Sequence, residues 1–254
     1  MTTFTICLPT YNEKENINAL IPRLLKIFEQ NQLSGNILVI DDNSPDQTAE
    51  VVKNWAEKDS RVQLLFRTTK EGLGKAYIAG FNQLLQQDNK PDLIFEMDAD
   101  HSHDPDVIPL MVKMIENEGK EFVVGSRKIK GGGNPDWPIT RRFISSGANF
   151  YTRTLLRLKI HDVTSGYRVF RSTLLDKLEL DKINASGYAF QIEMAYIIEK
   201  LLHAEVGEVP IIFIDRKVGK SKLGTKDVFE FWIHIIKLFF FGYRRKKLIK
   251  KEIA

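Results

Sequence analysis

The hydrophobic positions of the first 118 residues follow two alternating spacings. Short apolar runs, typical of buried strands, cover residues 3–9, 37–40, 62–66 and 93–97. Each run is followed by a segment whose apolar residues recur three and four positions apart, which predicts helices at 16–30, 48–58, 75–87 and 107–117. Four strand–helix units in series predict an α/β fold with a mainly parallel sheet flanked by helices.

The regular alternation ends after a fifth predicted strand at 122–125. Residues 128–138 contain three consecutive glycines and two prolines, which predicts a mobile loop of the kind that often carries function. Beyond this loop the pattern predicts helices at 142–158 and 188–202 and strands at 166–170 and 209–214.

The last thirty residues differ in composition from the rest of the chain. Polar residues lie three, four and three positions apart at Asp227, Glu230, His234 and Lys237, and they form a narrow stripe on an otherwise apolar helix. Six basic residues follow between 244 and 251, and each adds about 1 kcal/mol of attraction near an anionic membrane. Three interpretations stay open: the helix lies in a membrane interface, packs on its own domain, or packs on a partner's membrane helices. We expect residues 1–224 to form the main domain and 225–254 a membrane-proximal helix and basic tail.

Composition limits the class of protein. The net charge of +4 and pI of about 8.9 fit an anionic partner without choosing among nucleic acid, nucleotide and lipid surface. A single cysteine, Cys7, excludes an intrachain disulfide and a cysteine zinc site, as expected in a reducing compartment. The sequence shows no secretory signal and no run of 18 uncharged apolar residues, so we expect the protein to fold in the cytoplasm.

Two acidic residues follow the predicted strand at 93–97. Asp98 and Asp100 are two positions apart, so an extended backbone turns both carboxylates to one side. Ligands of open α/β sheets bind beyond the carboxyl ends of the strands, and Mg²⁺ or Mn²⁺ takes one or two carboxylates together with substrate phosphates. We favour such a metal site over the alternative, in which the two aspartates cap the next helix, because Asp104 and Asp106 are available for capping.

The first two strand ends carry side chains suited to a nucleoside. The ring of Tyr11 suits stacking on a base, and Glu13 suits hydrogen bonds from base or ribose, although a plain turn before a helix explains both residues equally well. Asp42 suits the polar edge of a base. The following residues 43–46 are read as a helix-capping turn.

Basic residues recur at the other strand ends and loops. Arginine suits bidentate contact with phosphate, and the residues concerned are Arg127, Arg141, Arg216 and Lys222. Each alone is more often a solvated surface charge. Their recurrence at one predicted edge of the sheet indicates a site for phosphate groups.

Nine short motifs together resemble a known family. They are Pro9-Thr10-Tyr11-Asn12-Glu13, Asp41-Asp42-Asn43-Ser44-Pro45-Asp46, Gly72-Leu73-Gly74, Asp98-Ala99-Asp100, Gly125-Ser126-Arg127, Gly147-Ala148-Asn149-Phe150, Asp162-Val163-Thr164-Ser165-Gly166-Tyr167-Arg168, Asp215-Arg216 and Gly219-Lys220-Ser221-Lys222-Leu223. This set resembles the dolichyl-phosphate (polyprenyl-phosphate) mannose synthases, which are inverting GT-A family 2 glycosyltransferases, and the resemblance spans about residues 4–224. It implies a GT-A, Rossmann-like fold followed by the C-terminal amphipathic helix.

The resemblance also implies an activity: transfer of mannose from GDP-mannose to dolichyl or polyprenyl phosphate, with inversion and with Mg²⁺ or Mn²⁺ as cofactor. By motif, the guanosine contacts would be Pro9, Tyr11, Glu13, Ile40 and Asp42. The sugar diphosphate and metal would lie at Asp98, Ala99 and Asp100, with Arg127, Arg216 and Lys222 on the phosphates and Arg141 on the acceptor phosphate. Asp100, Arg127, Arg141 and Arg216 would then be the catalytic residues. The chain departs from some relatives at Ser102, where they place a glutamine as a further metal ligand.

The expected partners are GDP-mannose, polyprenyl phosphate, a membrane surface and a small membrane-anchoring subunit, and nucleic acid is not among them. The expected location is peripheral, on the cytosolic face of a membrane: the endoplasmic reticulum in a eukaryote or the plasma membrane in a prokaryote. Two alternatives stay open at this point, a glucosyltransferase of the same type that uses UDP-glucose and a catalytically silent lipid-binding subunit.

Overall fold

Within the part of the chain that the structure describes, seven strands form one sheet at the centre of the molecule. A computed structural model describes residues 1–185, 187–215 and 225–250. The strands are β1 (Thr3–Thr10), β2 (Ser34–Asp41), β3 (Val62–Phe66), β4 (Leu93–Glu96), β5 (Phe122–Ser126), β6 (Arg168–Arg171) and β7 (Val206–Pro210). Their order is β3-β2-β1-β4-β6-β5-β7, and every neighbouring pair is parallel except those made by β6, which is antiparallel to β4 and β5. The α/β fold with a mainly parallel sheet is therefore confirmed.

Eight α-helices of the described ranges surround this sheet. They are α1 (Lys14–Gln30), α2 (Thr48–Lys58), α3 (Leu73–Leu85), α4 (Ile108–Glu118), α5 (Ile139–Leu156), α6 (Ser172–Asp176), α7 (Gly187–Tyr196) and α8 (Thr225–Phe241). Short 3-10 turns cover Pro105–Val107, Leu180–Lys182 and Gly242–Leu248, and a π-helical turn at Ile197–Leu201 extends α7.

Apolar side chains fill the space on both faces of the sheet, as expected for strands that read as continuous hydrophobic runs. On one face, α1 and α4 bury residues such as Leu24 and Met111 against β1 and β4. On the other, α3 and α7 bury Phe81 and Phe190 against the same strands. This two-sided core fixes the strands, and with them the positions of the residues that follow their carboxyl ends.

Among the residues of the C-terminal helix α8 whose side chains the structure describes, one side packs on the rest of the chain. Ile235 and Leu238 are buried in a small apolar cluster with residues of α5 and α7. The opposite side, toward the end of the helix, is exposed and carries Ile236, Phe239, Phe240 and Phe241. The structure thus supports packing of α8 on its own domain and leaves a second apolar face open. Within the described residues, no helix has the length and apolarity needed to cross a membrane.

A buried carboxylate ties the C-terminal segment to α7. Glu193 on α7 is inaccessible to solvent, and its two oxygens lie 3.2 Å from Nε2 of His234 and 2.9 Å from Nε of Arg245. Farther along, the backbone N–H of Glu179 donates to the carbonyl of Leu248. Residues 234–250 are therefore held by charge and backbone contacts as well as by apolar packing.

The predicted elements agree with the observed ones, with differences at their ends. The helix predicted from residue 142 begins at Ile139, directly after Pro138. The strand predicted at 209–214 lies at Val206–Pro210, and the apolar residues beyond it pair with the glycine loop through an isolated bridge between Gly133 and Ile212. That loop, predicted to be mobile, is bonded to this segment by its backbone.

Candidate active site

The parallel strands β1, β2 and β4 end at one edge of the sheet, which we call the carboxyl edge. In register, Thr10 at the end of β1 lies beside Asp41 at the end of β2, and Cys7 of β1 lies beside Glu96, the last residue of β4. The motifs predicted as functional follow directly after these strands. The carboxyl edge therefore brings the first, second and fourth motifs together, as the strand pattern predicts.

The paired aspartates after β2 have different environments. Asp41 is buried and accepts hydrogen bonds from the hydroxyls of Thr10 at 2.9 Å and Ser44 at 2.6 Å, so it holds the turn together. Asp42 forms an ion pair with Arg67, whose Nη1 lies 2.7 Å from Oδ1. Burial raises the pKa of the Asp42 carboxyl, and the Arg67 guanidinium opposes that shift. Asp42 is thus fixed at the mouth of the sheet by its contact with Arg67.

The residues after β1 lie next to this turn. Nζ of Lys70 lies 3.4 Å from the centre of the Tyr11 ring, a cation–π contact. The Glu13 carboxylate accepts from Nδ2 of Asn16 at 2.6 Å, and the Glu13 backbone N–H donates to the Thr48 hydroxyl. Asp46 accepts from the backbone N–H of Thr48, the first residue of α2, which agrees with the predicted capping turn.

The loop after β4 presents the two aspartates of the fourth motif. A buried histidine, His103, accepts a hydrogen bond at Nδ1 from the backbone N–H of Asp98, and its Nε2 lies 3.8 Å from the Asp98 carboxylate. The ring stacks on Tyr167 with centroids 4.9 Å apart. Burial lowers the pKa of His103, and the carboxylates of Asp98 and Asp100 oppose that shift, so both lie within electrostatic reach of the ring. The neutral ring of His103 therefore holds this loop in place through its hydrogen bond and its stacking on Tyr167.

A second buried group lies below Asp98. Glu96 is fully buried, and burial raises the pKa of its carboxyl to about 7 despite the opposing charge of Arg168. Arg168, also fully buried, donates to the carbonyls of Ser165, Val163 and Gln191 at 2.7 to 2.8 Å. The guanidinium thereby joins the loop before β6 to helix α7 beneath the site.

Arg127, after β5, forms the most buried ion pair near the site. Its Nε and Nη2 donate to the two carboxylate oxygens of Asp162 at 2.6 and 2.7 Å, and Nη2 also donates to the Thr164 hydroxyl. Its backbone N–H bonds to the same carboxylate. Burial favours the neutral form, but Asp162 outweighs it and raises the pKa of Arg127. Arg127 therefore stays positively charged, and the Nε and Nη2 edge of its guanidinium is bound to the Asp162 carboxylate.

Arg141 lies at the start of α5, beyond the glycine loop. Its guanidinium carbon lies 3.8 Å from the centre of the Trp137 ring, and Nη1 donates to Asp215 at 3.0 Å. Arg127 approaches the same aromatic residues, since its guanidinium carbon is 5.6 Å from the centre of the Trp137 ring and 5.4 Å from that of Phe213. Trp137 and Phe213 thus connect the two arginines.

The structure places most of the predicted site residues but not all of them. Pro9 and Ile40 are register partners at the ends of β1 and β2, and Ile40 is fully buried, as is nearly all of Ala99. Arg216 and Lys222 lie outside the described residues, so their predicted contacts with phosphate stay predictions.

Three residues of this region were not predicted from the sequence: His103, Trp137 and Asp162 as the partner of Arg127. The motif that contains Asp162 was recognised, but no local pattern shows that its carboxylate pairs with an arginine 35 positions earlier. His103 follows Asp100 closely, and a polar residue beside a strand-end motif was the signal available.

The family is decided by comparison with known sequences. Residues 5–179 match the model of the family Glycosyl transferase family 2. The chain belongs to this family. It is therefore a glycosyltransferase, as predicted.

Two relatives are similar over most of the chain. It is 39% identical over 216 residues to the undecaprenyl-phosphate mannosyltransferase of Micrococcus luteus, covering 85% of each chain. It is 38% identical over 228 residues to the polyprenol monophosphomannose synthase of Mycolicibacterium smegmatis, covering 89% of this chain and 82% of the relative. The resemblance to polyprenyl-phosphate mannose synthases, inferred from nine motifs, is confirmed.

Solved structures share the fold at low sequence identity. Mannosyl-3-phosphoglycerate synthase from Rubrobacter xylanophilus superposes with a TM-score of 0.66 at 17% identity, over 98% of this chain and 77% of that one. Glucosyl-3-phosphoglycerate synthase from Mycobacterium tuberculosis, solved with Mn²⁺, UDP and phosphoglyceric acid, gives 0.62 at 17% identity, over 92% and 76%. These matches establish the GT-A-like fold.

Proposed function

We propose that the protein transfers mannose from GDP-mannose to a polyprenyl phosphate, with inversion and with a divalent cation, and releases GDP. The observation that carries the proposal is the similarity to two polyprenyl-phosphate mannosyltransferases over more than four fifths of the chain. The geometry supports it, since the carboxyl edge combines a nucleoside-sized group of side chains, two carboxylates and several cations.

The nucleoside half of the donor fits the ends of β1 and β2. Tyr11 offers an aromatic face, with Lys70 against its ring in the structure. Asp42 offers a carboxylate held by Arg67, which suits the N–H groups on a purine edge. Glu13 would accept hydrogen bonds from the base or ribose, and the backbone of the paired residues Pro9 and Ile40 would lie against the nucleoside.

The donor set after β4 fits a hard divalent cation. Asp98 and Asp100 supply carboxylate oxygens, which Mg²⁺ and Mn²⁺ prefer. Across the described part of the chain, no cluster of three or more His, Cys, Asp and Glu side chains is suited to hold a metal. A cation held by Asp98 and Asp100 would therefore take its remaining ligands from the diphosphate and water, as Mg²⁺ commonly does. When bound, such a cation supplies charge neutralisation for the departing nucleoside diphosphate.

The acceptor phosphate fits near Arg141. A phosphate monoester has a second pKa of about 6, so near neutrality it is already an anionic nucleophile and needs no general base. The residues of the chain then act by alignment and by charge. Arg141 would orient the acceptor oxygen, while Arg127, paired with Asp162, lies within electrostatic reach of Asp98.

The surface around Arg141 suits a lipid chain. Ile139, Arg142, Phe143 and Ser146 of α5 line a hollow of about 340 Å³. Along the same helix Phe143 and Ile144 are each 74% exposed, and Phe150 is 68% exposed. A contiguous exposed group of large apolar side chains usually marks a surface that binds a membrane, a ligand or another protein.

We propose that this surface and the open face of α8 lie in the interface of a membrane, on its cytosolic side. The segment after α8 adds Arg244, Lys246 and Lys247, which are exposed and suited to anionic headgroups. In this arrangement residues 225–254 form the membrane-proximal part of the molecule, and a small membrane-anchoring subunit would bind on the same side.

The test is incorporation of labelled sugar into polyprenyl phosphate. The purified chain is supplied with GDP-mannose or UDP-glucose, each with Mg²⁺ or Mn²⁺ and each again with a chelator. We expect labelled lipid to form with GDP-mannose and not with UDP-glucose, and we expect the chelator to abolish its formation. Label from UDP-glucose instead would show the glucosyltransferase, and full activity in chelator would overturn the role of the cation.

A further inference from the structure

The acceptor arginine of the proposed function is already paired with a carboxylate. Nη1 of Arg141 donates to Oδ2 of Asp215 at 3.0 Å. The two side chains are 36% and 40% exposed, so solutes reach the pair. Any anion that binds Arg141 at this position must replace Asp215.

The arginine of the pair packs against Trp137, which in turn packs against Phe213. Trp137 is buried, lies against the Arg141 guanidinium at 3.8 Å and packs edge-on against Phe213 at 5.7 Å. Phe213 precedes Asp215 by two residues, and its backbone N–H donates to the carbonyl of Gly133 at 2.8 Å. Arg141 is therefore still held by the indole when the carboxylate leaves.

A second carboxylate adds to the negative charge at this position. Oδ2 of Asp136 accepts from the backbone N–H of Asp215 at 3.3 Å. An incoming phosphate thus loses affinity in two ways, by displacing Asp215 from Arg141 and by repulsion from nearby carboxylates. Because the pair is partly exposed, the penalty is modest and the exchange is reversible.

We propose that Asp215 is an internal competitor for Arg141 that releases the lipid product. The inference rests on the proposed function for the identity of the anion. In the reaction, an acceptor oxygen forms a bond to the anomeric carbon, and the bond to the diphosphate breaks with its electron pair leaving on the nucleotide. The acceptor enters as a monoester with nearly two negative charges and leaves as a diester with one. Its attraction to Arg141 falls on transfer, whereas that of Asp215 is unchanged, so Asp215 regains the arginine.

The test is the substitution Asp215→Asn, which keeps the shape and removes the charge. Binding of geranyl phosphate, a short soluble phosphate monoester, is measured by calorimetry. We expect its Kd to fall about three- to fivefold in Asp215→Asn, which is the strength of a partly exposed ion pair. Asp215→Glu restores the competing charge and stays near wild type, and Arg141→Gln weakens binding. Asp88→Asn, at an exposed aspartate, is the matched control.

Steady-state kinetics give the second readout. For the lipid acceptor, Asp215→Asn lowers both KM and kcat and strengthens inhibition by the glycosylated lipid, because product leaves slowly. A purely structural role predicts the reverse, a raised KM. A Kd for geranyl phosphate that is unchanged or raised in Asp215→Asn, or no binding to either protein, overturns the inference. If the wild type transfers no sugar to polyprenyl phosphate, the proposed function fails, and the geranyl phosphate measurement still decides the role of Asp215.

Discussion

Arg127 and Asp162 form a bidentate ion pair in which both side chains are almost completely buried. Three hydrogen bonds join them, two from the guanidinium and one from the Arg127 backbone, all between 2.6 and 3.0 Å. The pair connects the end of β5 to the loop that precedes β6. It therefore holds a permanent cation at the carboxyl edge, within electrostatic reach of Asp98.

Replacing this arginine tests its geometry as well as its charge. In Arg127→Lys the charge remains, but an ammonium cannot match the two carboxylate oxygens. We expect the free energy of unfolding to fall by about 3 kcal/mol, the usual cost of breaking a buried pair. Arg23→Lys is the control, since its pair with Asp104 is more than 40% exposed on each side, and it should change stability by less than about 1 kcal/mol. Equal effects in urea unfolding would contradict the role given to burial.

The glycine loop supplies a test of packing beside Arg127. A Cβ on Gly132 would lie 2.3 Å from the carbonyl oxygen of Ser126 and 3.1 Å from Cα of Arg127, so the backbone must shift. We expect Gly132→Ala to lose about 1 to 3 kcal/mol of stability and to lower transferase activity. At Gly133 the nearest contact would be Ile212 at 3.9 Å. Gly133→Ala should therefore stay close to wild type in the same assays, and an equal loss would show that the loop tolerates neither change.

Glu96 predicts a pH dependence of stability. A carboxyl whose pKa rises from 4.5 to about 7 on folding binds its proton more tightly in the folded state. The folded state therefore loses stability as pH rises from about 4.5 to 7, and the penalty is complete above 7. Relative to Glu96→Gln, the wild type should lose about 2 to 3 kcal/mol between pH 4.5 and 8. Parallel pH profiles of unfolding free energy for the two proteins would contradict this account.

The membrane surface is tested by removing single exposed rings. Phe143 on α5 is 74% exposed and Phe240 on α8 is 61% exposed. Burial of either ring in a bilayer contributes about 1.5 to 3 kcal/mol to binding. Phe143→Ser and Phe240→Ser should therefore each weaken vesicle binding about tenfold or more. Leu110→Ser on α4, at a residue 46% exposed, is the control and should bind as wild type. Sedimentation with anionic vesicles measures all three, and unchanged binding in both phenylalanine variants would place the membrane elsewhere.

The sequence predicted the parts of the molecule that depend on local pattern. Strand-end position predicted that Asp98 and Asp100 lie at the carboxyl edge, because parallel strands end at a common edge. Helical spacing likewise located α2 at its observed bounds.

The parts that depend on distant contacts were not predictable in this way. The four residues of β6 are too few to show that this strand runs antiparallel between β4 and β5. Arg127 was predicted as a phosphate contact from its place after a strand, and its pairing with Asp162, 35 residues farther along the chain, has no local signal in the sequence. The two faces of α8 were also undecided, since periodicity shows that a face is apolar but not which surface covers it.

The most direct test of the central claim is mannosyl transfer by Asp100→Ala. If Asp98 and Asp100 hold the cation that assists departure of GDP, kcat/KM for GDP-mannose and polyprenyl phosphate should fall at least roughly thirtyfold. This corresponds to a loss of about 2 kcal/mol of transition-state stabilisation. Asp88→Ala, at an exposed aspartate, should keep wild-type activity. Near-normal transfer by Asp100→Ala, with a folded protein, would contradict the account.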